Sequence, residues 1–173
     1  MEFIFLEIDD AIRTGNLFVI KQILEDNPNF DINYRPCYSF SLLTIAIKKY
    51  NYNIGLFFIN YSNIDLNILE KDGETVLAHA IIENLDPEFI LLLIKKTNIN
   101  KLNTALYKAV YFYHPKYYNV VVSLLDHGAD PHFKKSSGSA SAFYYGTRHS
   151  CYKSLIDLLN NYGNLEIKEP ETD

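Results

Sequence analysis

The chain of 173 residues has no tryptophan, one methionine and only two cysteines, Cys37 and Cys151. Two cysteines without a CxxC spacing rule out a disulfide framework and suit a reduced, intracellular setting, with the cytoplasm as the expected location. No run of about eighteen apolar residues occurs, so no membrane span is expected. The opening MEFIFLEIDD holds four carboxylates and no early Lys or Arg, unlike a secretory leader. Basic excess is lacking too, since 16 Lys and Arg face 21 Asp and Glu, a formal net charge of −5. That balance gives no global electrostatic reason to bind phosphate backbones. The lysine pairs 48–49, 95–96 and 134–135 read as solvated surface. Neither nucleic acid nor membrane is expected as a partner.

Motifs of catalysis are lacking as well. There is no HExxH, no Walker-type GxxxxGK[ST], no GxGxxG and no GxSxG. Gly138, Ser139 and Ala140 lack the lysine and helix of a phosphate loop and read as a turn. His127 and His132 have no Cys or acidic cluster to complete a zinc set. His79 and His149 fall on helices, where hydrogen bonding to backbone or solvent is the expected role. Cys151 lies two residues from His149, and side chains two apart on a helix face different directions. No catalytic residue, cofactor or metal is assigned, and the chain is read as a non-enzyme.

What is present is a repeat. The segments DDAIRTGN, LLTIAIKKYN, VLAHAIIEN and ALYKAVYFY align on Ala11, Ala46, Ala80 and Ala109, at spacings of 35, 34 and 29 residues. A weaker fifth copy, SAFYYGTRH, places Tyr145 at the same position, 36 further on. Each copy continues into a second apolar run: LFVIKQIL, IGLFFI, FILLLI, VVVSLL and SLIDLL. The runs end at DIN (31–33), DLN (65–67), NIN (98–100), GADPH (128–132) and NNYGN (160–164). Glycine caps a helix without a Cβ penalty, and a following proline cannot continue it. The pattern predicts two short helices per unit, the first with a small residue where its neighbour must approach closely. Helices this short are marginal alone and persist by stacking on adjacent units.

DGETVLAHAI (72–81) and LLDHGADPH (124–132) resemble the ankyrin repeat, whose pattern runs D-x-x-G-x-T-P-L-H-x-A-A, a second helix, then G-A-D-V-N. The resemblance implies an all-α solenoid of stacked helix-turn-helix units with short or truncated β-hairpin fingers. It covers one domain, 1–164, as five repeats at about 5–33, 34–67, 68–100, 101–132 and 133–164, leaving an acidic tail, 165–173, expected to fray. The TPLH tetrapeptide is degraded to SLLT (41–44), TVLA (75–78) and TALY (104–107). NINKLNTAL leaves few residues for a finger before the fourth repeat, so that finger is expected to be short. About three extra residues near His114, Pro115 and Lys116 lengthen the fourth interhelical loop. Tyr118 aligns with an apolar position opening the second helix and is expected in the core. The fifth copy has small residues and Gly146 where a helix former is expected, so its first helix is expected to be irregular.

In that family, partners contact finger tips and exposed first-helix positions lining a concave face. Position by position, the resemblance implies Tyr38 and Phe40 before the second repeat and Lys48 and Lys49 on its helix. It adds Lys71, Asp72 and Glu74 on the third finger, Ile82 and Glu83 on the third helix, Tyr111 and Phe112 on the fourth, and Arg148 on the fifth. Aromatic and apolar groups at such positions mark contact surfaces. The implied function is a non-catalytic interaction module, monomeric when free, that binds one protein partner. The expected role is an inhibitor, effector or host-pathway modulator from a virus or bacterium. The alternatives are an immunity protein neutralising a cognate toxin, an enzyme with an improvised site, and a subunit stacking end-on in an assembly.

Overall fold

A computed structural model describes residues 1–37, 39–150 and 152–163, with His149 described in its backbone alone. Three expectations lie outside the described residues: a contact role for Tyr38, the geometry of Cys151 against His149, and the fraying of 165–173. The described residues form ten α-helices and an isolated antiparallel bridge, Leu69 with Thr75. Two compact units divide at Asn98–Ile99, the boundary between the third and fourth repeats. In the first unit, α1 (Glu2–Arg13) pairs with α2 (Leu17–Asp26), α3 (Leu42–Lys48) with α4 (Tyr52–Ile59), and α5 (Val76–Ile82) with α6 (Pro87–Lys96). The first helices pack in order, α1 on α3 and α3 on α5. In the second unit, α7 (Leu102–Tyr111) pairs with α8 (Tyr118–Asp126) and α9 (Ala142–His149) with α10 (Lys153–Gly163), and α7 lies on α9.

The aligned alanines are the pivots of this packing. Ala11, Ala46, Ala80 and Ala109 are all buried. Four residues beyond the first three sit Gly15, Tyr50 and Asn84, each with positive φ (71°, 56° and 57°). One residue further on, the N–H groups of Asn16, Asn51 and Leu85 donate back to the carbonyls of those alanines at 2.8, 3.0 and 3.1 Å. This is a left-handed C-terminal cap, repeated three times, with glycine at its expected position in the first copy alone. The GADP turn closes α8 by the same bonding: Gly128 has φ +89°, and the Ala129 N–H donates to the Leu124 carbonyl at 3.0 Å.

At the opposite helix ends, Ser41, Thr75 and Ser141 accept from the N–H groups of Thr44, Ala78 and Tyr144. Counting five residues on from each cap gives Ala46, Ala80 and Gly146. Gly146, rather than Tyr145, therefore holds the alanine position of the fifth repeat. A Cβ there would stand 2.9 Å from Val110 Cγ1 on α7 and closer still to Leu159 on α10. The expected irregular helix is instead a regular one, α9, because its glycine permits close approach and its serine caps the start.

Two further expectations are revised at the fourth repeat. The short finger before it is replaced by a 3₁₀ turn, Ile99–Lys101, that leads directly into α7, so Thr104 lies inside the helix and caps nothing. A second 3₁₀ turn, Pro115–Tyr117, takes up the extra loop residues. It advances the chain by one position, so Tyr117 is 1% exposed and Tyr118 is 38% exposed, the reverse of the expected burial. Tyr117, Val120, Val121 and Leu124 then share one buried helical stripe.

The D-x-N stops have a double use. Asp31, Asp65 and Asp130 each accept from the N–H two residues on, fixing a tight turn at 2.9, 2.8 and 2.7 Å. Asn33 Oδ1 accepts from the Asp65 N–H and Asn67 Oδ1 from the Asn98 N–H, tying each turn to the next at 2.8 and 2.7 Å.

A buried carboxylate joins the second and third repeats. Glu70 accepts from the Ser41 N–H at 3.0 Å, from the hydroxyls of Ser41 and Thr44, and from Arg35 Nη1 at 3.1 Å. Removing it strands several buried donors together, and such groups are costly to leave unpaired. Glu70→Ala is expected to lower stability by about 3 kcal/mol in urea unfolding. A loss under about 1 kcal/mol would show that these donors find other partners.

Candidate partner-binding surface

In the first unit the expected contact residues converge on one another. The third finger turns on Gly73, with φ +77° and the Gly73 N–H donating to the Glu70 carbonyl at 2.8 Å. The turn brings Lys71 and Asp72 against the first helices. Lys71 Nζ lies 4.4 Å and Lys48 Nζ 5.1 Å from the centre of the Phe40 ring. The same ring meets His79 edge-on, with centroids 5.2 Å apart. His79 is only 2% exposed, and its Nε2 lies 3.2 Å from Asp72 Oδ2. Lys48 pairs with Glu83 at 2.9 Å, and the Tyr50 hydroxyl donates to the other Glu83 oxygen at 3.1 Å. Glu74 donates its N–H to Asp72 at 3.2 Å. Ile82 is half-buried, and Lys49 is exposed at the end of α3.

Phe40, Lys48, Lys71 and Glu83 thus cross-link the second repeat to the third, while Asp72 and Glu74 brace the finger within the third. His79 is the member that sequence reasoning left as an ordinary helical histidine. It occupies the variable position of the TPLHxA pattern, and its burial follows from Phe40 and the finger closing over it.

These contacts set the acid response of the unit. Burial pushes the Asp72 carboxyl up, but the Glu74 N–H and the His79 ring outweigh it and hold the group below its ordinary value. Burial likewise pushes Glu83 up, and Lys48 and the Tyr50 hydroxyl together bring it below the usual range. A carboxyl depressed in the folded state stabilises fully above its unfolded value, about 4, and loses that contribution as pH falls through its folded value. Urea-derived stability should therefore decline between about pH 5 and about pH 3. Glu83→Gln should make that decline shallower, and an unchanged profile would contradict the role given to Lys48 and Tyr50.

The second unit presents a different surface. Leu102, Ala105, Leu106, Ala109 and Val110 bury one side of α7. Thr104, Tyr107, Lys108 and Tyr111 fall at i, i+3, i+4 and i+7 on another side, where all four keep solvent exposure. Tyr111 packs against Tyr145 of α9 with centroids 4.8 Å apart and against Phe112 at the same distance. Tyr107 joins the stack, 5.9 Å from Tyr111 and 6.2 Å from Tyr145. The Arg148 guanidinium lies 5.0 Å from the Tyr144 ring. Although packed, Tyr111, Phe112 and Tyr144 remain 46%, 45% and 46% exposed. A cleft of about 190 Å³ opens between Asn103, Thr104 and Tyr107 on one side and Phe133, Lys135 and Ser139 on the other.

Of the expected contacts here, Tyr111 and Phe112 meet directly, and Arg148 stands on the neighbouring helix. Tyr107, Tyr144 and Tyr145 were missed. The four-residue spacing of Tyr107 and Tyr111 was a readable signal for the first. Tyr144 and Tyr145 were obscured by the one-residue misalignment of the fifth repeat. Both turn histidines have structural partners: His127 Nδ1 lies 2.7 Å from the Ser123 carbonyl oxygen, and His132 Nε2 lies 3.0 Å from that of Gly163. Among the described residues no group of three or more His, Cys, Asp or Glu could hold a metal ion, and no helix is long and apolar enough to cross a membrane.

A family model of ankyrin repeats matches residues 43–135 as three copies. The chain belongs to the ankyrin repeat family. Ankyrin repeats are generic protein–protein interaction modules. No curated protein matches the chain.

Proposed function

We propose that this ankyrin-repeat protein is a non-catalytic module that binds one protein partner through the first-helix face of its repeats. It acts by occupancy, as an inhibitor or effector covering a functional surface of that partner. The carrying observation is the aromatic face of α7 and α9. Folding requires only the buried stripe of those helices, yet Tyr111, Phe112 and Tyr144 hold large rings half in solvent. Aromatic side chains held by their neighbours lose little conformational freedom on docking, which is why they dominate binding hot spots.

Affinity capture from the native source, with the partner identified by mass spectrometry, tests the proposal when repeated with a double variant. Tyr111→Ala with Phe112→Ala is expected to weaken capture by about 100-fold or more, equivalent to about 3 kcal/mol. Its melting temperature should move little, because both rings are half-exposed. Full capture by the double variant would move the contact surface elsewhere.

A further inference from the structure

The net charge of −5 conceals unlike parts, of which residues 164–173, with one Lys against four Asp and Glu, are acidic. Residues 1–98 hold eight Lys and Arg against fourteen Asp and Glu, whereas residues 99–163 hold seven against three. The three acidic groups of the second set lie outside α7 and α9, and the one beside the cleft, Asp130, donates its N–H to Asn103 Oδ1 at 2.7 Å. Asp126 ends α8 and accepts from the Tyr162 hydroxyl, Asp130 is engaged in its turn by the His132 N–H, and Asp157 lies on α10. Neither α7 nor α9 carries a carboxylate. Lys108 and Arg148 rise from these helices, and Lys134 and Lys135 lead into α9, with Lys134 and Arg148 both exposed.

We infer that the α7–α9 face takes an extended, acidic segment of the protein partner, with an aromatic or aliphatic side chain set among its carboxylates. This rests on the binding role proposed above and adds the chemistry of the ligand. Two clefts offer the two halves of such a segment a place. The cleft beside Tyr107 and Phe133 offers two rings to the apolar side chain. A second, of about 300 Å³, is lined by Lys134, Ser137, Ser139, Ser141 and Tyr144, and its lysine suits a carboxylate. Ser139 and Ala140 line both clefts, so one strand of peptide passes from one to the other. Arg148 can meet a further carboxylate through the edge of its guanidinium while its face rests on Tyr144.

A single-stranded nucleic acid also uses cations beside rings, but it needs open ring faces on which bases stack. Tyr111 has Tyr145 against it and Phe112 beside it, each 4.8 Å away, so neighbouring rings of the protein compete with a base for its faces.

The test is fluorescence anisotropy of the full chain with three labelled probes: a short peptide alternating Glu with Phe and Leu, its Gln counterpart, and an oligothymidylate of matching charge. The acidic peptide should bind at least about tenfold more tightly than the other two, and weaken clearly between about 0.05 M and about 0.3 M salt. Lys134→Glu with Arg148→Glu should weaken it about tenfold with melting unchanged. Equal binding of the Gln peptide, no binding of the acidic peptide, or tighter binding of the oligothymidylate overturns the inference. If the charge-reversed variant still captures the native partner fully and the Tyr111, Phe112 variant does not, the binding face stands and the acidic ligand falls.

Discussion

Neighbouring first helices can lie together only because a residue with little or no side chain stands at each contact. Ala11, Ala46 and Ala80 serve α1, α3 and α5, and Ala109 and Gly146 serve α7 and α9. Close approach buries an apolar stripe on each helix, which helices of seven to twelve residues need in order to persist. The capping turns follow from the same constraint. A helix that ends two residues after its alanine must reverse at once, and Gly15, Tyr50 and Asn84, four after it, accept left-handed backbone to achieve it. Of these, Tyr50 is the costliest choice of residue. Its hydroxyl reaches Glu83 of the next repeat, so a position awkward for the turn also contributes a link between repeats.

The packing leaves two first-helix surfaces with unlike chemistry. In the first unit, charge meets charge and Phe40 is flanked by two ammonium groups and a buried histidine. Those contacts hold the repeats in register, and a partner would have to displace them. In the second unit the rings support one another and still face solvent, with basic side chains nearby. Covering that surface buries half-exposed rings, whereas covering the first disturbs the Lys48–Glu83 pair, which makes the aromatic surface the less costly one to cover.

Much of this architecture was legible in the sequence. The alanine spacing, the second apolar runs and the D-x-N stops each correspond to a physical device: a close contact, a buried stripe and an Asx turn. Reading failed where a local shift moved the register. A 3₁₀ turn exchanged the burial of Tyr117 and Tyr118, and a glycine took the place of an alanine in the fifth repeat, hiding Tyr144 and Tyr145. A single residue suffices for such errors, because neighbouring helical positions point about 100° apart. The inter-repeat pairs Lys48–Glu83 and Arg35–Glu70 are separated by about one repeat length. Exposed charge and cross-linking charge look alike in one dimension. The contrast in charge between 1–98 and 99–163 was written in the sequence but does not show in the total of −5.

Backbone hydrogen exchange of the chain with and without its captured partner bears most directly on where the partner docks. The account predicts new protection concentrated at 104–112 and 133–148, with 71–83 exchanging as before. Protection confined to 71–83, with the α7 and α9 segments unchanged, would contradict it.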